Sequence, residues 1–216
     1  IDKILADKGI IKVGEFSNKF YLKEGYLFPD TYRFSDPQKE KITVEAIGEK
    51  MLNNFKNKTE EEFKGLGSQK QSEIITIASM LEKEAKTEED MRIVAGIIKR
   101  RMELSMLLQI DATVTYGACL RNLQPATYDL QVFRNCDVTL VGVANEIKLD
   151  GAYNSYIRKG LPPGPISNPG LKAIRAAMDP QKTDYLFYLS TRDGSQMIFS
   201  KTAGEHAANR RKYLGI

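Results

Sequence analysis

The segment IITIASMLEKEA places eight uncharged residues, 74 to 81, directly before Glu82. An α-helix that carries no charge over two turns is buried around most of its circumference. A carboxylate one turn beyond Ala78 and about two turns beyond Ile75 shares that burial. Desolvation disfavours its charged form, and the negative end of the helix dipole adds to the effect. A carboxylic acid that keeps its proton near neutral pH can protonate the leaving oxygen of a glycosidic bond. The plainer alternative is that Glu82 opens the solvated end of the helix and pairs with Lys86 four residues on. Glu84 points elsewhere on the helix and is expected to face solvent.

Other segments supply groups that could line a groove. LLQIDATVTYG brings Gln109, Asp111, Thr113 and Tyr116 onto one stretch, and YNSYIRKG brings Tyr153, Asn154 and Tyr156. EGYLFPDTY adds Tyr26, Phe28 and Tyr32. Aromatic faces suit the C–H surfaces of sugars, and amides and hydroxyls suit their OH groups. The same tyrosines would serve equally as half-buried core residues with wet tips. LPPGPISNPG, residues 161 to 170, holds four of the eight prolines. Proline fixes φ and removes a donor, so this stretch can neither melt into a helix nor join a sheet interior. Gly164 permits close approach of a ligand. With Pro165 and Asn168 it reads as a preorganised groove wall, or else as a rigid corner with no ligand.

These residues need elements to hold them. Apolar positions 1, 4 and 5 suggest a short helix that ends in a turn at Gly9. EGYLFPDTYRF, residues 24 to 34, reads as extended or turn structure. A helical stripe at 44, 47, 51, 52 and 55 follows Thr43, a cap residue. Helices are expected over 68–85 and, after Thr87, over 88–104. LLQIDATVTYG reads as a loop leading into a turn, and TLVGVANEI as either strand or helix. Asn168-Pro169 reads as N-cap and first helical residue of GLKAIRAAM. YLFYLS and QMIFS around TRDGS predict a β-hairpin, and a last helix spans about 202–214. The fold class is α+β: a mostly helical catalytic domain with a small antiparallel β-hairpin. No internal repeat or low-complexity run is present.

Composition narrows the options further. The 216 residues suffice for one well-packed domain. Thirty-two basic and 28 acidic residues give a net charge of +4. Short basic clusters such as Lys99-Arg100-Arg101 and Arg210-Arg211-Lys212 read as solvated helix faces, so no nucleic-acid partner is expected. No apolar run reaches the length of about 18 residues that spans a bilayer. One His, and no Cys/His spacing of the ligating kind, leave no metal or cofactor site. Cys119 and Cys136 could form a disulfide or remain two thiols. The single His, His206, reads as a structural or surface residue.

Taken in order, EGYLFPDTYRF, IASMLEKEA, LQIDATVTYG, YNSYIRKGLPPGPISNPGLKAIRAAMDP and YLFYLSTRDGSQMIFSKTAGEH resemble the YceG-like (MltG) family of endolytic murein transglycosylases. The resemblance covers roughly residues 24 to 213. It implies cleavage of the β-1,4 bond between MurNAc and GlcNAc in peptidoglycan strands, with the MurNAc C6 hydroxyl closing a 1,6-anhydro ring. It maps the family's catalytic glutamate onto Glu82; the groove reading then brings Gln109, Asp111, Thr113, Tyr116, Tyr153, Asn154, Tyr156, Gly164, Pro165 and Asn168 to the substrate. It implies action on the extracytoplasmic face of the cell membrane, near cell-wall synthases (penicillin-binding proteins), with a membrane anchor upstream of residue 1. Residues 1–23 would be a remnant of a LysM-like module or a connecting segment. A hydrolytic muramidase using Asp111 or Glu84, or a non-catalytic glycan-binding scaffold, are the alternatives. Two departures stand out. Ala112 replaces the proline that usually follows the motif's Asp, and residues 118–150 exceed the usual connection.

Overall fold

The computed structural model describes residues 1–34, 42–121 and 138–216. At the N-terminus, α1 (Asp2–Asp7) ends in a turn at Gly9, where φ is +68°. The buried Asp2 carboxylate then accepts the Gly14 and Ser17 N–H groups at 2.6 and 3.0 Å. It thereby satisfies two orphan donors at the start of α2 (Glu15–Phe20). A 3₁₀ turn, Tyr21–Lys23, leads into the irregular stretch that carries Tyr26 to Phe34. Helix α3 (Val44–Thr59) starts at Thr43, whose hydroxyl accepts the Ala46 N–H. Its expected stripe is real: Ile47 and Met51 are buried with Phe16, Phe20 and Leu27 in a small second core. Residues 1–23 therefore share their apolar contacts with α3.

The main core forms around α4 (Ser68–Glu84). It packs against α5 (Glu88–Glu103), capped by the Thr87 hydroxyl, and against α6 (Asp111–Arg121). Val143–Glu146 is the short α7, and α8 (Leu171–Met178) covers the rest of α4. Met80, Leu81, Val94 and Ile174 are fully inaccessible in this core. The uncharged run 74–81 is thus explained: neighbours touch α4 on several sides. Two readings change. LLQIDATVTYG is not a loop, because α6 begins at Asp111. Ile110, Val114 and Ala118, spaced by four and all buried, form a narrow apolar face that Thr, Tyr and Gly between them disguise. TLVGVANEI resolves into a 3₁₀ turn, Val138–Leu140, and α7, with no strand.

LPPGPISNPG is stapled to α4. The Ile166 N–H donates to the Ser79 hydroxyl at 3.0 Å, and the Ser167 hydroxyl donates to the Ser79 carbonyl at 2.9 Å. Asn168 does not cap α8; Gly170 holds that position. The Asn168 amide oxygen instead accepts the Gly25 and Leu27 N–H groups at 2.8 and 3.0 Å, and its amide nitrogen donates to Glu24 at 3.1 Å. One side chain therefore ties residues 24–27 to a point more than 140 positions later. Asn168→Ala strands two part-buried donors and is expected to cost about 2 kcal/mol of stability. A denaturant midpoint equal to wild type would show that water replaces the clasp.

The hairpin is as expected. β1 (Phe187–Ser190) pairs antiparallel with β2 (Met197–Ser200), with Phe187 opposite Ser200 and Ser190 opposite Met197. Helix α9 (Ala203–Leu214), capped by the Thr202 hydroxyl, packs across both strands. The α+β, mostly helical class stands. Among the described residues, no helix is long and apolar enough to cross a membrane.

Candidate active site

The carboxylate that enters a cleft is Glu84, not Glu82. Glu84 sits one turn beyond the fully buried Met80 and Leu81 and continues their face. There Tyr188 of β1 and the first turn of α6 cover it. The Tyr188 hydroxyl donates to Glu84 Oε2 at 3.0 Å. Burial pushes the Glu84 carboxyl up to about 7, and the charge of Asp111 pushes in the same direction. The Tyr188 hydroxyl and the Ala112 N–H oppose them by binding the ionised form. The group is thus poised between its two protonation states near neutral pH, as proton transfer in both directions requires. Ala112 matters here. A proline at that position would have no N–H to donate.

Glu82 is exposed, and its Oε2 accepts the Gly170 N–H at 3.1 Å, at the start of α8. The expected burial fails because the cover over that face of α4 ends where α8 begins. The expected pairing with Lys86 is also absent; Lys86 donates to the Gly194 carbonyl at 3.0 Å. The expectation that Glu84 faces solvent is overturned by the covering hairpin.

Glu84 opens into a cleft of about 600 Å³, within the range of small-ligand sites. Asp111 stands beside it at the head of α6, and the Tyr156 hydroxyl donates to Asp111 Oδ1 at 2.5 Å. Burial drives the hydroxyls of both Tyr156 and Tyr188 well above the usual tyrosine range, so they act as donors throughout the physiological pH range. The floor is Arg101, only 6% exposed. Its guanidinium donates to the carbonyls of Leu186, Leu107 and Leu108 at 2.7, 3.0 and 2.7 Å, and to the Gln109 side chain at 3.3 Å. It binds α5 to both walls of the cleft and lies over the Phe187 ring. Gln109 holds a left-handed φ of +53°, an uncommon conformation outside glycine, and its side chain lines the cleft. His206 stacks on Phe187 at 5.3 Å and also lines the cleft. Burial, and then the charges of Arg210 and Arg101, hold its imidazole below the ordinary histidine range.

The expected site residues divide into two groups. Gln109, Asp111 and Tyr156 meet around Glu84. Thr113 is fully buried, and its hydroxyl donates to the Ile110 carbonyl at 2.7 Å and lies 2.8 Å from that of Ser155. Asn154 is buried and ties down the carbonyls of Glu146, Ile147 and Leu149. These two build the walls from behind and do not line the cleft. Tyr116 and Tyr153 pack on each other at 5.0 Å, with Gly164 facing the Tyr153 hydroxyl and Pro165 against Gly25. With Asn168 and Glu24 they make a separate cluster. There Glu24 is held above the usual carboxylate range by burial, against the pull of Lys83. Cys119 is fully buried on α6. Cys136, and with it the question of a disulfide, lies outside the described residues, as do 122–137 of the segment 118–150.

Sequence reasoning missed Arg101, Tyr188 and the cover over Glu84. An arginine between two apolar helix turns, KRRMEL after IVAGII, was the available signal for Arg101.

The helical domain thus sets one desolvated glutamate beside a second carboxylate in an open cleft, an arrangement suited to carboxyl acid–base chemistry. The chain belongs to the YceG-like family, whose sequence model matches residues 1–212. It is 34% identical over 193 residues to an endolytic murein transglycosylase of Bacillus subtilis, covering 88% of this chain and 48% of that protein. It is 29% identical to the protein of the same name in Streptococcus pneumoniae (serotype 2), covering 88% of this chain and 32% of that one. The chain thus spans about half or less of these relatives' lengths. A crystal structure of a YceG-like protein from Listeria monocytogenes superposes with a TM-score of 0.70 at 29% identity, covering 96% of this chain and 62% of that one.

Proposed function

We propose that this chain is the catalytic domain of an endolytic murein transglycosylase in which Glu84 is both acid and base. The observation that carries the reading is the carboxyl of Glu84, desolvated in the cleft, held up to about 7 and gripped by Tyr188. The names of the relatives supply the substrate class, peptidoglycan glycan strands.

The steps balance without water. Protonated Glu84 gives its proton to the GlcNAc O4 as the bond from that oxygen to MurNAc C1 breaks. Positive charge grows at C1 and the ring oxygen, where the Asp111 carboxylate favours it electrostatically. The Glu84 carboxylate, held by the Tyr188 hydroxyl and the Ala112 N–H, then takes the proton of the MurNAc C6 hydroxyl. O6 bonds to C1, the 1,6-anhydro ring closes, and Glu84 is protonated again. An intramolecular hydroxyl has a high effective concentration, so no second carboxylate is needed to activate a nucleophile. Gln109 and Tyr156 are placed to position the sugar. Peptidoglycan lies outside the cytoplasmic membrane, and the proposed place of action is there.

Asp111 beside Glu84 favours one competing reading, hydrolysis, in which it activates a water. Mass spectrometry of products from purified glycan strands separates the two. Anhydro-MurNAc ends are expected. Reducing MurNAc ends would make the protein a muramidase, and binding without any product would make it a glycan-binding scaffold.

A further inference from the structure

The cleft carries both signs of charge. Glu84 of α4 and Asp111 of α6 bring acidic groups to it; Arg210 and His206, four residues apart and so on one face, come from α9. The cluster Arg210-Arg211-Lys212 reads from sequence as a solvated helix face, yet its first arginine lines the cleft. Arg210 is exposed there, and among the described residues its guanidinium has no carboxylate partner. His206, one turn before it, is held towards its neutral form by burial and then by the charges of Arg210 and Arg101. Arg101 adds a second positive charge beneath, and among the described residues it donates to neutral oxygens. Two guanidinium groups therefore share one cleft, and neither is neutralised by hydrogen bonding to an acid.

We propose that Arg210 is a specificity residue that binds a carboxylate carried by the muramyl unit of the substrate. The inference rests on the peptidoglycan reading above. Muramic acid differs from glucosamine by a lactyl ether ending in a carboxyl group. That carboxylate is free in strands stripped of peptide; in substituted strands it becomes an amide and the stem peptide brings carboxylates of its own. A guanidinium pairs with such a group in a two-pronged hydrogen bond. Placed in the same cleft as Glu84, this pairing draws the muramyl side of the bond towards α9 and sets which sugar presents C1 to the acid. The side chain sits in an open cleft, so the gain is at the lower end of the range for charged hydrogen bonds.

Binding by proteins that cannot turn over tests this. Glu84→Gln and the double variant Glu84→Gln/Arg210→Gln are titrated by calorimetry with three preparations. These are peptide-free strands, the same strands with lactyl carboxylates converted to methylamides, and peptide-bearing strands. The double variant is expected to bind at least one carboxylate-bearing preparation about tenfold more weakly than the single variant, while the two bind methylamide strands equally. A loss on peptide-free strands assigns the lactyl carboxylate; a loss confined to peptide-bearing strands assigns the stem. Arg210→Lys in the same background should recover part of the loss. Equal affinities of the single and double variants for all three preparations would overturn the role of Arg210 while leaving the enzyme reading intact. If neither variant binds any strand while wild type cleaves none, the peptidoglycan reading itself falls, and the inference with it.

Discussion

Glu84→Gln is expected to slow glycan cleavage by about a thousandfold or more, with the fold and strand binding retained. General acid–base groups contribute about 10² to 10⁴-fold, and in the proposed mechanism one carboxyl serves both steps. Glutamine keeps the shape and can still accept the Tyr188 hydroxyl bond, so the loss isolates proton transfer. Glu82→Gln is the matched comparison. Its carboxylate is exposed and contacts the start of α8, so cleavage should stay within about threefold of wild type. The assay is product release from purified strands, read by mass spectrometry. The reverse pattern, a dead Glu82→Gln and an active Glu84→Gln, would return the chemistry to Glu82 and leave the Glu84 cleft without a catalytic role.

The second large effect is in pH. The carboxyl of Glu84 is raised from 4.5 to about 7, first by burial and then by Asp111. The acid step needs the proton, so kcat/KM should fall tenfold per pH unit above about 7. Asp111→Asn removes a like charge and should move that limb to lower pH. Stability follows the same group with a definite sign. Between pH 4.5 and about 7 the native state holds a proton that the unfolded chain has released, so stability falls as pH rises through that window. Glutamine has no charge to desolvate. Glu84→Gln should therefore match wild type in Tm near pH 4 and exceed it by several degrees near pH 8. A shift of this size corresponds to about 3 kcal/mol at most. A Tm difference that stays flat from pH 4 to 8 would mean the carboxyl is not desolvated.

In the proposed mechanism the burial of Glu84 thus costs stability and supplies the proton. The fold accommodates that cost with neutral structure nearby. Ser79 staples the proline-rich turn to α4, Thr113 and Ser155 bond each other beneath α6, and Asn168 clasps residues 24–27. None of these needs a charge in the cleft. Arg101 is the exception, a nearly buried cation whose carbonyl bonds set both walls in place.

Local patterning was enough to determine most of the elements and the family. Thr43, Thr87 and Thr202 each announce a helix start, and each hydroxyl makes the expected capping bond. The YLFYLS…QMIFS alternation announces the hairpin. These are short-range effects, decided by residues three or four apart or by one turn. Of the ten residues expected along one groove, Gln109, Asp111 and Tyr156 line the cleft beside Glu84, and the other seven do not. What sequence could not decide was which glutamate of Glu82-Lys83-Glu84 goes inside. The run 74–81 is apolar all round, so periodicity points to no single face, and both glutamates lie one turn beyond buried residues. The choice is made by a hairpin about a hundred residues later, which lays Tyr188 over Glu84, and by α8, whose start leaves Glu82 in solvent. Asn168 was misread for the same reason: its best donors belong to residues 25 and 27, brought to it only by the packed fold. Burial of a polar group depends on which distant surface covers it, and only the tertiary structure decides that.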